Sequence, residues 1–149
     1  MRNLSKHSGA IGDQLLCGTT RTLDYTHQGT TVLFDKLDGC NVTLPRSKGD
    51  FGVYRFMCAV TATGGSNLIK VGNATDVMAG QIVMISQSST INGFPTTATQ
   101  DTLTMNRTTT GVTAPGDWIE FVDIAVGTFS VRGVLTGTGA QATPFSATV

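Results

Sequence analysis

Apolar and polar residues alternate along most of this chain with a period of two, in short runs closed by glycine, proline or asparagine. Thr30 to Asp35 (TTVLFD), Asn67 to Val71 (NLIKV) and Asp101 to Asn106 (DTLTMN) each read as a strand, and Arg21 to Tyr25 as a weaker one. Cys40 to Leu44 (CNVTL) is another, stopped by Pro45, which has no N–H to give to a ladder. Phe51 to Val60 is the most apolar long run. It places Tyr54, Phe56, Cys58 and Val60 on one face and Val53, Arg55, Met57 and Ala59 on the other, which predicts a central strand covered on both faces. Asp76 to Ser86 is the one segment where helical spacing competes. Gly80 and the run Ile82-Val83-Met84-Ile85 favour a strand there.

The chain is organised around Ala114 to Gly133 (APGDWIEFVDIAVGTFSVRG). Two β-rich runs, Asp117 to Asp123 and Thr128 to Arg132, flank a connection carrying Gly127 and predict an antiparallel hairpin. Within it Ile119, Phe121, Phe129 and Val131 are the core candidates. Gln87 to Gln100 and Arg107 to Pro115 are polar and read as long exposed loops. After Gly133 the pattern allows one last edge strand followed by loss of order. The expectation is an all-β protein: a single β-sandwich, jelly-roll-like, of about eight short antiparallel strands over residues 21–149. Residues 1–20 lack sustained periodicity and read as an extended N-terminal arm, in which only Leu15 and Leu16 offer an apolar anchor.

Composition supports this reading. A chain of 149 residues makes one domain that buries roughly 70% of its unfolded surface, so no disulfide or metal is needed to complete a core. Charged residues are 13% of the chain and sum to zero, which gives no electrostatic footprint for nucleic acid or an anionic membrane. Low charge also leaves little repulsion between copies. The N-terminus lacks the apolar run of a signal peptide, and no stretch has the length of a membrane-spanning helix. Cys17, Cys40 and Cys58 are odd in number and lack CxxC spacing, so they read as reduced thiols. The sequons at Asn3, Asn41, Asn73 and Asn106 are assigned no role.

Candidate chemistry is sparse, and no enzymatic activity or cofactor is expected. Cys17 with His7 and His27 has neither a motif that holds a base beside the thiol nor the spacing of a zinc site. Asp35 and Asp38, or Asp117, Glu120 and Asp123, offer only fragments of a carboxylate pair or calcium loop. Asp117, after Pro-Gly, is expected to satisfy turn amides. The glycine-rich TGGS and GTGTGAQ segments lack the lysine and helix of a phosphate loop.

Four blocks in order resemble the capsid decoration (cement) proteins of tailed phages: TTVLFD followed by NVTLP, FGVYRFMCAV running into TATGGSNLIKV, TATQDTLTM, and GDWIEFV followed by GTFSVRGV. They span about Thr30 to Val134. The chain departs from the pattern in its return strand, which carries only Phe129 where a second Trp or Tyr opposite Trp118 is expected. The resemblance implies a non-enzymatic virion protein on the outer capsid surface that clamps neighbouring major capsid subunits. It also implies a homo-oligomer, with a trimer favoured and a dimer next. Candidate partner-binding residues are Leu15, Leu16 and Trp118. Trp118 reads as part of a packing surface, in the core or between subunits, while the arm and the long loops are expected to carry the partner surface. The alternative is a receptor- or glycan-binding module of a tail fibre or spike, in which Trp118 stacks on sugar.

Overall fold

The computed structural model describes residues 14–149; residues 1–13, including His7 and most of the expected arm, lie outside the described residues. Among the described residues twelve strands form: β1 (Gln14–Leu16), β2 (Thr20–Thr22), β3 (Thr31–Phe34), β4 (Asn41–Thr43), β5 (Val53–Cys58), β6 (Asn67–Lys70), β7 (Val77–Ser86), β8 (Ile91–Pro95), β9 (Thr102–Met105), β10 (Trp118–Ala125), β11 (Thr128–Gly137) and β12 (Phe145–Ser146). The only other regular element among the described residues is a 3₁₀ turn, Tyr25–His27. Asp24 caps it by accepting from Thr26 N, while His27 Nδ1 accepts from Asp24 N.

The strands build a seven-stranded sheet, β1-β3-β5-β10-β11-β7-β8, and a five-stranded sheet, β12-β9-β6-β4-β2. Both are mixed, which corrects the expectation of about eight antiparallel strands. Jelly-roll wiring is antiparallel, whereas β1–β3, β3–β5, β2–β4, β4–β6 and β7–β11 all pair in parallel. From β1 to β6 the chain alternates between the two sheets, so it winds as three coils of two strands, each coil stacked on the one before. Residues 14–20, expected in the arm, form the first coil and its corner: Cys17 N donates to Leu33 O and Asn41 N to Thr19 O.

Stacking explains several small and polar residues at the corners. Gly39 (φ 84°) lies so close to the next coil that a Cβ there would collide with the Ser66 carbonyl, and a Cβ on Gly65 would collide with that of Asp38. Buried Asn67 accepts from Cys40 N at 3.0 Å through its side chain, satisfying an amide that the corner would otherwise orphan.

After β6 the chain adds strands on the other side of the coils. β9 pairs antiparallel with β6 and β10 with β5, and the β10–β11 hairpin is closed by Gly127 at φ 82°. The hairpin joins the coiled half of the larger sheet to β7, which runs parallel to β11 through ten register pairs. Segment 76–86 is thus a strand, as its β-branched run requires. Gln87 to Gln100 is not one long loop: β8 lies within it and pairs antiparallel with β7. Nor does the tail lose order, since Phe145 is buried and Thr148 N donates to Asp101 Oδ1.

Inward-facing residues of both sheets meet in one hydrophobic cluster. The larger sheet supplies Phe34, Tyr54, Phe56, Phe121 and Phe129, and the smaller Val42, Ile69, Leu103 and Met105. Phe34 stacks on Phe56 at 5.9 Å, and Phe121 meets Phe56 edge-on at 5.8 Å. All four hairpin core candidates are buried. The second face of β5 is not: Arg55, Met57 and Ala59 are exposed. Strands on both sides of β5 satisfy its backbone, but among the described residues no layer covers its outer face.

Candidate interaction surface

The outer face of the larger sheet is built by register. Leu16 pairs with Leu33, Leu33 with Met57, Met57 with Trp118, Trp118 with Val134 and Val134 with Val83. Side chains on one face of adjacent strands stand in line across a sheet, so these six residues form an apolar row over six strands. Leu16 is 57% exposed and Met57 and Trp118 are each 42% exposed, while Leu33, Val134 and Val83 are half-buried. A contiguous outward apolar row of this kind marks an interaction surface more often than scattered exposed leucines do.

One row along, the same strands carry Gln14, Thr31, Arg55, Glu120, Arg132 and Gln81 in register. Arg55 Nε lies 2.9 Å from Glu120 Oε2. Between the two rows, over the β5–β10 pair, is a shallow depression of about 240 Å³ whose rim includes Trp118, Met57, Arg55 and Glu120.

The sequence-predicted residues separate on this frame. Leu16 and Trp118 share the outer row, with β3 and β5 between their strands. Leu15 faces the other way and packs against the core. Trp118 is on the surface and not in the core, because its neighbours Asp117 and Ile119 take the inward positions.

A second apolar feature lies at the hairpin tip, where Ile124 is 40% and Val126 77% exposed. Beside it Phe51, 69% exposed at φ 60°, donates its N–H to Asp123 O. The tip is held rigidly from below. Asp123, 2% exposed, accepts from Ser47 Oγ at 2.6 Å, Lys48 N at 2.7 Å and Gly49 N at 2.9 Å. Ser47 N in turn donates to Asp76 Oδ2, and Lys48 Nζ sits 3.4 Å above the Tyr25 ring.

The titratable groups do not converge. Among the described residues no three His, Cys, Asp or Glu side chains are placed to hold a metal ion. Cys17 is buried, and a hydrogen bond with Cys40, together with burial, pushes its thiol well up. Burial and the neighbouring Asp117 charge push Cys58 up to about 11. Asp117 and Asp123 face inward while Glu120 faces out, so the three acids share no site. Asp117 interacts with the Ala114 backbone of its own turn, as expected, and also reaches beyond it. It accepts from Thr136 N and Thr136 Oγ1 at 2.7 and 2.8 Å, fastening the start of β10 to the end of β11. The sequon residues Asn73 and Asn106 close local turns through their side-chain oxygens. No helix among the described residues is long and apolar enough to cross a membrane.

Sequence reasoning missed Leu33, Met57, Val83 and Val134 as surface residues, and Phe51, Ile124 and Val126 as a tip. Alternation did place Met57 opposite Phe56. Its exposure depends on what covers that face, which strand periodicity does not record.

No protein-family model matches the chain, and no significant match exists among curated proteins or solved structures.

Proposed function

We propose that this is a structural virion protein that binds the outer surface of an assembled phage capsid and stabilises contacts between major capsid subunits. In this reading the two sheets are the layers of a β-sandwich, and the protein acts as a homo-oligomer carrying no cofactor. The block order from Thr30 to Val134 supports it, and the observation that carries it is the hairpin tip. Phe51, Ile124 and Val126 present apolar area to solvent on backbone pinned by the buried Asp123 carboxylate. A rigid apolar anchor loses little entropy on docking, as a clamp acting through many copies requires. Co-sedimentation of purified protein with undecorated heads is the test. Saturable binding lost in Val126→Asp supports the reading, and absence of any binding removes it.

A second reading, a glycan-binding module of a tail fibre or spike, is favoured by the exposed indole beside the Arg55–Glu120 pair. Binding on a glycan array that is abolished by Trp118→Ala, with the fold intact, would select it.

A further inference from the structure

We propose that the outer face of the seven-stranded sheet is a self-complementary interface that joins two copies of this chain about a twofold axis. The proposal rests on the register of the face and is independent of the capsid reading.

A twofold axis lying in this face, parallel to the strands and midway between β5 and β10, brings the two copies face to face with their rows aligned. β5 of one copy then faces β10 of the second, β3 faces β11, and β1 faces β7. Along the apolar row this sets Met57 against Trp118 of the second copy, Leu33 against Val134 and Leu16 against Val83. Each pairing is apolar on both sides, and thioether against indole is a favourable contact. Along the polar row the same operation sets Arg55 against Glu120 of the second copy, Thr31 against Arg132 and Gln14 against Gln81. The intramolecular Arg55–Glu120 pair becomes a ring of two arginines and two glutamates with no like charges directly opposed. An axis through β10 would instead set Arg55 against Arg132, whereas the axis between β5 and β10 opposes no like charges and pairs both Arg55–Glu120 couples.

Isologous pairing requires such a match of a patch with itself. Two outward rows over six strands, with a third (Val53, Val122, Ser130, Ala79) over β5, β10, β11 and β7, make a face of about 500 Å² per copy, at the lower end of what a specific interface takes from each partner. The depression over the β5–β10 pair lies on the axis, where the Met57 and Trp118 side chains of both copies converge. The occupant is therefore a second copy. A sugar or another protein on this face is the outcome that the experiment separates from it.

The experiment is light scattering and sedimentation equilibrium of the full chain, with circular dichroism to confirm folding of each variant. The wild type is expected as a dimer at micromolar concentration. Trp118→Glu and Glu120→Arg should each weaken dimerisation by about 30-fold or more. The double exchange Arg55→Glu with Glu120→Arg restores opposite charges both within and between copies, and should bring the dimer back. A wild type that is monomeric at about 100 µM, in the weak-affinity range, overturns the proposal. So does a trimer, and so does a dimer that persists unchanged in both single variants.

Discussion

Ser47 Oγ donates a 2.6 Å hydrogen bond to the buried carboxylate of Asp123, tying the turn after β4 to the end of β10, 76 residues away in sequence. Two backbone amides of the same turn complete the shell of that carboxylate. Removing the carboxylate leaves the part-buried Lys48 and Gly49 amides without this partner, while Ser47 Oγ keeps only Ala125 O. Asp123→Ala is therefore expected to cost about 3 kcal/mol or more, against about 1 kcal/mol for Ser47→Ala, measured by urea denaturation. Equal effects would mean that the carboxylate is not the hub of the turn.

Trp118 and Phe121 lie three residues apart on β10 and face opposite sides of the sheet. Phe121→Ala opens a cavity against Phe56 and should cost about 3–5 kcal/mol. Trp118→Ala leaves a half-exposed site and should cost about 1 kcal/mol or less in the monomer, checked at concentrations too low for association.

Gly39 tests the stacked coils. Alanine at this position must adopt a positive φ and also push a methyl group into the Ser66 carbonyl. Gly39→Ala should lower stability by about 2 kcal/mol or more, whereas Gly93→Ala, with open space around it, should be nearly neutral.

Burial raises the Asp117 carboxyl above its ordinary value of 3.8, against the opposing hydrogen bonds from Thr136. The folded protein therefore holds the Asp117 proton more tightly than the unfolded chain does. That contribution is present below the unfolded value and is lost as pH rises through the folded one. Asp117→Asn should accordingly gain stability relative to wild type as pH increases from about 3 to 6, read from denaturation midpoints. A difference that stays constant across that range would show that Asp117 titrates alike in both states.

Phe51 and Val126 contribute exposed area and no core packing. Phe51→Ser and Val126→Asp should each leave the unfolding midpoint within about 0.5 kcal/mol of wild type. In the capsid reading they reduce co-sedimentation with heads. Unaltered capsid affinity in both variants would move the contact away from the hairpin tip.

Much of the strand content was legible beforehand because alternation is local. β3, β4, β5, β6, β9 and the β10–β11 hairpin lie where the apolar–polar pattern put them, and Ile119, Phe121, Phe129 and Val131 are buried as their spacing required. β1 was hidden because a three-residue strand carries too little pattern to stand out from an arm, whereas β2 overlaps the weak strand expected at Arg21 to Tyr25, whose end enters the 3₁₀ turn instead. β8 was hidden because a polar edge strand resembles a loop. The candidate surface was legible only in part. Leu16, with Leu15, was singled out as an anchor of the arm and Trp118 as part of a packing surface, and nothing in either segment indicates that Leu16 and Trp118 belong to one row.

By itself the sequence determined that this is an all-β chain, where most of its strands fall, and which side chains of each strand share a face. A period of two follows from backbone geometry and holds for any strand, whatever its partner. For the same reason it is silent on parallel against antiparallel pairing and on which sheet a strand joins. Only the tertiary structure decided that the first six strands wind as stacked coils, that β8 extends the larger sheet, and that Leu16, Leu33, Met57, Trp118, Val134 and Val83 stand in line on an uncovered face. Those outcomes depend on inter-strand register, which is set by contacts between residues far apart in the chain.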